Sequence, residues 1–308
     1  MKKADFDLVI IGGGPAALTA GLYAARAMLN VLLVEKAAPG GQVSRTDWIE
    51  NYPGFPNGLS GADLIQNITE QTKRFDVSVE INEVISMDCS ENIKKVRLTD
   101  RTITAYTIII ATGASPRKLG IPGEDRFYGK GVSFCATCDG PFYKDRIIAA
   151  IGGGNTAVQE SLFLTKFASK VYLIHRRDEL RATKILQERA FANDKIEIVW
   201  DSIATSINGG LTNVENVTVK NVKTKTTKEL LVDGCFIWVG IHPNTEFLGG
   251  CVKLDGSGFV IVDSNMETSL PGVFAAGDVR NTPLRQVATA VGDAAIASFS
   301  AENYIANM

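Results

Sequence analysis

The chain has 308 residues, which suggests two domains at about 150 residues each. Hydrophobic residues make up 45% and charged residues 21%, as expected of a globular protein with a full core. The formal net charge of −2 gives no bulk electrostatic signal for nucleic acid or an anionic membrane, and no stretch approaches the ~20 apolar residues of a membrane span. A signal peptide is disfavoured because Asp5 and Asp7 interrupt the basic start, so we expect a cytoplasmic protein.

The first predicted elements form a βαβ unit around a glycine-rich turn. A buried strand at Val9–Ile11 runs into this turn, a small-residue helix spans Ala17–Ala27, and a second strand at Val31–Val34 ends at Glu35. The turn carries the dinucleotide fingerprint in its variant with a final alanine, which brings a pyrophosphate to the N-terminus of the helix. The carboxylate of Glu35 is suited to an unphosphorylated ribose, as in FAD or NAD. The predicted contacts of this turn are Gly12, Gly14, Pro15 and Ala16.

A Cys-x-x-Cys pair follows at Cys135 and Cys138. In a cytosolic protein such a pair is usually redox-active or half of a zinc site. A zinc site needs two more ligands, and His175 and His242 are the only histidines. We therefore predict a redox dithiol and no metal. Asp139 is placed to exchange the accompanying proton, although Asp139 and the next glycine would also form an ordinary turn.

The three other cysteines show no partner pattern. Cys235 lies in an apolar run and is expected to be buried and inert, and Cys89 and Cys251 are isolated. An odd count of five cysteines with irregular spacing does not indicate the disulfide framework of a secreted protein.

A second βαβ unit repeats the first one 140 residues later. A strand at Ile147–Ile151 runs into a turn with Gly152 and Gly154, a helix extends to about Phe167, and a second strand covers Val171–Ile174. Two copies of the fingerprint, each between a strand and a helix, make chance glycine-rich turns a poor explanation.

The residues at the end of the second unit differ in charge from those of the first. The position equivalent to Glu35 is His175, followed by Arg176 and Arg177, and Arg181 would share a helix face with Arg177. Guanidinium groups here suit the 2′-phosphate of NADPH, whereas the alternative is a solvated basic run at the start of a helix. FAD is then the natural occupant of the first site.

Two later strand ends support a flavin site in the first domain. Ile108–Ile110 runs into Ala111, Thr112 and Gly113, and Val273–Ala276 runs into Gly277 and Asp278. The Asp278 carboxylate is suited to the ribitol hydroxyls, and the helix that follows would face the flavin end.

These motifs, together with the segment Glu50–Gly54 and the run Arg285–Ala290, resemble the low-molecular-weight thioredoxin reductases of the pyridine nucleotide-disulfide oxidoreductase family. The resemblance spans nearly the whole chain in order. It implies an α/β protein with two Rossmann-like domains of the three-layer ββα type, in which an NADPH domain at residues 116–245 is inserted into an FAD domain at residues 1–115 and 246–308. It also implies a homodimer and domain rotation between half-reactions.

The resemblance further implies roles for individual residues. FAD contacts are implied at Gln42, Asn51, Thr112, Gly113, Gly277, Asp278, Arg285, Gln286 and Val287. NADPH contacts are implied at Asn155, Thr156, His175, Arg176, Arg177 and Arg181. Cys138 would face the flavin, Cys135 would attack the partner disulfide, and Lys130 and Phe142 would lie near the docking surface for thioredoxin.

Several readings stay open at this stage. The partner would be thioredoxin, a thioredoxin-like protein, or another redoxin such as a glutaredoxin-like or peroxidase-linked protein. A ferredoxin-linked electron supply is disfavoured by the arginines. A flavin-binding redox sensor that does not turn over is a different class that the motifs also permit.

Overall fold

A computed structural model describes residues 3–46, 49, 51–88 and 91–308, so Glu50 and Cys89 lie outside the described residues. The chain divides into two compact units. The first unit joins Met1–Ser115 to His242–Met308, and the second unit is Pro116–Ile241. The chain thus re-enters the first unit at His242, slightly before the predicted residue 246.

The described residues form α-helices and β-strands in both units. The helices are α1 (Pro15–Arg26), α2 (Gly61–Lys73), α3 (Ala136–Asp139), α4 (Asn155–Leu164), α5 (Lys184–Phe191) and α6 (Val287–Ala306). The strands are β1 (Phe6–Ile11), β2 (Val31–Glu35), β3 (Ser78–Ile81), β4 (Val84–Asp88), β5 (Lys94–Leu98), β6 (Thr102–Ile110), β7 (Ala114–Pro116), β8 (Val132–Ser133), β9 (Ile147–Gly152), β10 (Lys170–Ile174), β11 (Ile196–Val199), β12 (Ser202–Gly209), β13 (Val214–Asn221), β14 (Thr227–Leu231), β15 (Gly234–Trp238), β16 (Ile241–Pro243) and β17 (Val273–Ala275).

The first unit is built on a seven-stranded sheet in the order β3-β2-β1-β6-β5-β4, with β17 also paired to β6. Strands β3, β2, β1, β6 and β17 are parallel to one another. Strand β5 pairs antiparallel with β6, and β4 pairs antiparallel with β5. The central strands are apolar along their length because parallel strands are covered on both faces. Helices α1 and α6 pack together over one face of this sheet. They pack closely because α6 contributes small buried side chains at Ala290, Ala294, Ala297 and Ala301.

The second unit has a parallel five-stranded sheet in the order β11-β10-β9-β15-β8. One face carries an apolar cluster with residues of α3, α4 and α5, and the other carries a cluster with residues of the antiparallel sheet β12-β13-β14. This gives three layers of the ββα type. The predicted α/β class with parallel sheets is confirmed.

The predicted βαβ units are confirmed as β1-α1-β2 and β9-α4-β10. One boundary differs, since α4 ends at Leu164 and not near Phe167. The ammonium group of Lys195 donates to the carbonyl oxygens of Thr165 and Ala168, so these carbonyls have a side-chain partner where the helix stops.

Candidate functional site

The predicted cofactor residues of the first unit lie at one edge of its sheet. Gly12 follows β1, Glu35 ends β2, Thr112 follows β6, and Gly277 follows β17. These four strands are neighbours and parallel, so their carboxyl ends meet at the same edge. The edge beyond the carboxyl ends of parallel strands is where open α/β sheets bind ligands.

A different physical reason favours glycine at each of the three positions of the first turn. Gly12 has φ +119°, and a Cβ there would collide with the carbonyl oxygen of Ala111. A Cβ at Gly13 would come within 2.6 Å of the side chain of Glu35. A Cβ at Gly14 would meet no atom within 4 Å, so this position opens to free space. Gly14 is also the N-cap of α1 and provides no side-chain cap, which leaves the N-terminal amides of the helix available to an anion.

The turn after β6 is held by Asn244, a residue that the sequence motifs did not single out. The Thr112 hydroxyl donates to the carbonyl oxygen of Asn244 at 2.7 Å, and the Asn244 amide group donates back to the carbonyl oxygen of Thr112 at 2.8 Å. The backbone N–H of Asn244 donates to the carbonyl oxygen of Gly113 at 3.0 Å. Thr112 and Gly113 are therefore fixed in place beside the first glycine turn.

A half-buried acidic side chain, Asp278, and a half-buried basic side chain, Arg285, lie near the end of β17. Burial raises the pKa of the Asp278 carboxyl to about 6, with the guanidinium of Arg285 opposing this and the carboxylate of Asp293 adding to it. Burial lowers the pKa of Arg285, whose guanidinium stacks 4.2 Å above the ring centre of Phe259. The Nε atom of Arg285 is buried without a hydrogen-bond partner, so it is a donor that a ligand oxygen would satisfy.

The remaining predicted flavin residues also belong to the first unit. The Asn51 amide donates to Gln286 Oε1 at 3.0 Å, and Gln286 is the N-cap of α6, whose first residue is Val287. The Gln42 amide donates to the carbonyl oxygen of Ala114. The open Gly14 position, the uncapped α1 terminus, the Glu35 carboxylate and the unpartnered Arg285 donor together fit an adenine dinucleotide without a 2′-phosphate.

Replacing Asp278 by asparagine is expected to remove a pH-dependent part of the stability of the protein without bound ligand. Because burial raises the pKa of Asp278 to about 6, the folded protein binds a proton that the unfolded chain releases near its ordinary pKa of about 3.9. This stabilisation is fully present below the unfolded pKa and is lost as pH rises through 6, with a magnitude on the order of 3 kcal/mol. Urea unfolding of wild type and Asp278→Asn between pH 4 and 7 measures it, and a pH-independent difference contradicts the assignment.

The second unit repeats the geometry of the first turn. A Cβ at Gly152 would press on the carbonyl oxygen of Trp238, and one at Gly153 would collide with the imidazole ring of His175. A Cβ at Gly154 would again meet nothing within 4 Å, and Gly154 caps α4 without a side chain. Asn155 and Thr156 are the first two residues of α4 and are exposed. The middle glycine thus accommodates Glu35 in one unit and His175 in the other.

The arginine segment is tied to this turn, but it is not helical. Residues 176–179 are a series of bends and α5 begins only at Lys184, so the predicted shared helix face of Arg177 and Arg181 is wrong. The backbone N–H of Arg181 donates to the carbonyl oxygen of Gly153 at 2.7 Å, and that of Thr183 donates to Asn155 Oδ1 at 2.8 Å. These bonds hold the segment against the glycine turn and take the place of helical hydrogen bonds.

The three predicted arginines keep their charges exposed. Arg176, Arg177 and Arg181 are exposed, and within the described residues none of them forms an ion pair with a carboxylate. The neighbouring Asp178 pairs instead with Lys223 at 2.7 Å. A cluster of unpaired guanidinium groups beside an open helix N-terminus is a suitable site for a phosphate.

His175 differs from the arginines because it is buried, with only 4% of its surface exposed. Burial lowers the pKa of its imidazole, and the charges of Arg181 and Arg177 lower it further. Its Nε2 atom has no hydrogen-bond partner. A neutral ring under the glycine turn follows from these surroundings.

Cys135 and Cys138 form a disulfide at the carboxyl edge of the same sheet, with their Cα atoms 5.4 Å apart. Cys135 follows β8 and is the N-cap of α3, where its Sγ accepts a hydrogen bond from the backbone N–H of Cys138 at 3.2 Å. Both cysteines and Asp139 are half-buried. Asp139 is the last residue of the four-residue helix α3, and Gly140 is its C-cap.

The redox segment and the glycine turn are linked by β15, which lies between β8 and β9. Trp238 ends β15 and pairs with Gly152, and its indole N–H donates to the carbonyl oxygen of Phe134 at 3.1 Å. The hydroxyl of Ser133 accepts from the backbone N–H of Cys135 at 3.0 Å. These contacts place the disulfide two strands away from the second glycine turn in the same sheet.

The other described cysteines do not extend this centre. Cys235 is fully buried, as predicted, and burial raises the pKa of its thiol. Cys251 is half-buried and donates to the carbonyl oxygen of Met87. Within the described ranges, no group of three or more His, Cys, Asp or Glu side chains is arranged to hold a metal ion. Among the helices in those ranges, none has the length and apolar character needed to cross a membrane.

Comparisons with known proteins agree with this architecture. Residues 6–294 match the family described as pyridine nucleotide-disulphide oxidoreductase. A thioredoxin reductase of Peptoclostridium acidaminophilum is 43% identical over 307 residues and covers 97% of both chains. The crystal structure of thioredoxin reductase from Streptococcus pyogenes MGAS5005 is 46% identical with a TM-score of 0.95, covering 98% of this chain and 99% of that one. The Lactococcus lactis thioredoxin reductase in the FR conformation is 42% identical with a TM-score of 0.68, covering 99% and 100%.

The chain therefore belongs to the pyridine nucleotide-disulphide oxidoreductase family. This membership implies flavin and nicotinamide cofactors, and the chain itself carries the Cys135–Cys138 disulfide.

Proposed function

We propose that this chain is an NADPH-dependent thioredoxin-disulfide reductase. It would use FAD and the Cys135–Cys138 disulfide to reduce the disulfide of thioredoxin or of a thioredoxin-like protein. The observation that carries this proposal is the Cys-x-x-Cys disulfide at the edge of the sheet that also carries the second nucleotide turn. Relatives named thioredoxin reductase that match over nearly the whole chain support it.

FAD is proposed for the first unit. The Glu35 carboxylate would accept from the adenosine ribose, and the amides at the start of α1 would bind the pyrophosphate. Asp278 would bind the ribitol, while Arg285 and the N-terminus of α6 would bind the far end. When bound there, the flavin supplies two-electron transfer between a nicotinamide and the disulfide.

NADPH is proposed for the second unit. The open turn at Gly154 would receive the pyrophosphate, with Thr156 beside it. The exposed guanidinium groups of Arg176, Arg177 and Arg181 would bind the 2′-phosphate, because an arginine fork matches phosphate geometry. His175 would contribute a neutral surface under the turn.

The two cysteines are proposed to act in sequence. Once the disulfide is reduced, the Cys135 thiolate attacks one sulfur of the partner disulfide, and the other partner sulfur leaves as a thiolate. The Cys138 thiolate then attacks Cys135 Sγ in the mixed disulfide, which restores the Cys135–Cys138 bond and releases the partner as a dithiol. In the disulfide, the backbone N–H of Cys138 donates to Cys135 Sγ, and this donor would remain beside the attacking sulfur. Asp139 would exchange the protons.

Assembly and motion are part of the proposal. A homodimer is expected from the family resemblance, and a cytoplasmic location suits an enzyme that keeps thiols reduced. Domain rotation between half-reactions is supported by the relatives, because structures at 46% and 42% identity give TM-scores of 0.95 and 0.68. Such a spread is expected if the same two domains take up more than one orientation in this family. Lys130 and Phe142, both exposed, are proposed to lie near the docking surface.

The purified protein is expected to be yellow, with about one FAD per chain. NADPH should bleach it, and oxidised thioredoxin should restore the colour, as followed by absorbance near the flavin maximum. Restoration by a glutaredoxin-like or peroxidase-linked protein and not by thioredoxin would change the partner. Bleaching without restoration by any disulfide would indicate a redox sensor. Colourless protein that cannot be reconstituted with FAD contradicts the proposal.

A further inference from the structure

Helix α6 carries a carboxylate inside the first unit that no motif explains. Asp293 is 7% exposed and forms a forked ion pair with Arg280. The Arg280 Nε atom donates to Asp293 Oδ2 at 2.6 Å, and the Arg280 Nη2 atom donates to Asp293 Oδ1 at 2.7 Å. A buried ion pair usually contributes little net stability compared with an apolar pair of similar size. Its presence therefore calls for a reason other than stability.

One end of this pair holds the turn that precedes Asp278. The backbone N–H of Gly277 donates to Asp293 Oδ2 at 3.1 Å, and that of Ala276 donates to the carbonyl oxygen of Ile110 at 3.0 Å. Gly277 has φ +75°, and a Cβ there would lie 3.1 Å from that of Ala16, the second residue of α1. Asp293 thus fixes a tight turn between α6 and the start of α1.

The other member of the pair, Arg280, is connected through the backbone to the residue on which Arg285 stacks. The backbone of Arg280 forms a parallel β-bridge with that of Val260. The residue before Val260 is Phe259, and the guanidinium of Arg285 stacks on its ring. The backbone N–H of Val260 donates to the carbonyl oxygen of Val279 at 3.0 Å, and the backbone N–H of Asn281 donates to the carbonyl oxygen of Val260 at 3.0 Å. The Arg280–Asp293 pair therefore links the segments that hold both charged groups proposed for the flavin, Asp278 and Arg285.

We propose that Asp293 is a positioning residue for the flavin, which acts through Gly277 and Arg280 to preorganise Asp278 and Arg285. This inference rests on the proposed binding of FAD in the first unit. Preorganised groups bind a ligand more tightly because less order is lost on binding. The expected consequence of breaking the pair is a site that still folds but releases FAD more readily.

The test compares flavin release with unfolding in the same holoenzyme. During a thermal ramp, flavin fluorescence reports the release of FAD and far-ultraviolet circular dichroism reports the unfolding of the chain. In Asp293→Asn, the release temperature should fall well below the unfolding temperature, and FAD loss on dilution should give a dissociation constant raised about tenfold or more. Arg280→Lys keeps the positive charge but loses the two-pronged ion pair, so its release temperature should also fall well below its unfolding temperature. This variant replaces Asp293→Asn in the test if Asp293→Asn does not fold.

Two further variants separate positioning from plain stability. Ser298→Ala lies on α6 and removes a buried hydrogen bond to the carbonyl oxygen of Ala20, so it should lower both temperatures together. The double variant Arg280→Gln with Asp293→Asn should lose no more FAD affinity than Arg280→Gln alone or Asp293→Asn alone, since both residues act through one contact.

The inference is overturned if Asp293→Asn and Arg280→Lys lower the two temperatures together, as Ser298→Ala does, with an unchanged FAD dissociation constant. A wild-type protein that binds no FAD would instead overturn the proposed function, so the two failures are distinguishable.

Discussion

Replacing either cysteine of the disulfide by serine is expected to reduce thioredoxin-disulfide turnover to less than about a thousandth of wild type. Cys135 and Cys138 supply the only disulfide in the described part of the chain, and a serine hydroxyl neither accepts the electron pair nor exchanges with a disulfide. In the proposed reaction, reduction of the flavin by NADPH does not use these sulfurs, so it should continue in both variants. Stopped-flow absorbance measures this step, and a coupled thioredoxin assay measures the overall reaction.

The two variants should differ when thioredoxin is added. Cys138→Ser keeps the proposed attacking thiol but lacks the resolving one, so it should trap a mixed disulfide through Cys135, visible on a non-reducing gel. Cys135→Ser should trap much less, because it lacks the proposed attacking sulfur, which is the one that accepts from the backbone N–H of Cys138. The matched control is Cys251→Ser, which changes a half-buried free thiol and should turn over normally. Trapping through Cys138 alone would reverse the two roles.

The sequence was most informative where local geometry restricts the choice of residue. Both glycine turns and their flanking strands were predicted, because a residue with a Cβ at Gly12 or Gly152 would strike a backbone carbonyl. The buried strands were recognisable because parallel strands covered on both faces are apolar along their length. The spacing between Gly12 and Glu35 also has a local cause, since the turn, helix α1 and strand β2 follow one another directly between the two residues.

The prediction was wrong where long-range hydrogen bonds override local preference. Arg177 and Arg181 have the spacing of a helical face, but the N–H of Arg181 bonds to Gly153 and that of Asp201 bonds to the carbonyl of Arg177. These partners lie more than 20 residues away in sequence. A pattern read along the segment alone carries no information about them.

Three positioning side chains gave no recognisable signal for the same reason. Asn244 holds the turn at Thr112 from 132 positions away, and Trp238 holds the carbonyl of Phe134 from 104 positions away. Asp293 looks like any polar residue of a long helix until Arg280 and Gly277 are seen against it. Sequence motifs predicted the groups proposed to touch cofactors, whereas the groups that hold them required the fold.

Replacing Arg181 or Arg176 by alanine is expected to raise the Michaelis constant for NADPH by about tenfold to a hundredfold, with a much smaller change for NADH. Each guanidinium would donate charge-assisted hydrogen bonds to the 2′-phosphate, worth roughly 1.5–3 kcal/mol. NADH lacks that phosphate and loses nothing. The N–H of Arg181 is bonded to Gly153 through the backbone, so removing the side chain should leave the glycine turn in place. Steady-state kinetics with both nucleotides, at fixed ionic strength, give the ratio.

The control for this experiment is Lys223→Ala, which removes a positive charge from the same region. Lys223 pairs with Asp178 and Asp201 at 2.7 and 3.1 Å, so its charge is already matched by carboxylates. Its removal should leave the ratio of the two Michaelis constants almost unchanged, whereas a general electrostatic effect would lower the preference for NADPH in all three variants. Equal losses for NADPH and NADH in Arg181→Ala would mean that the arginine supports the fold of the segment and does not select the phosphate.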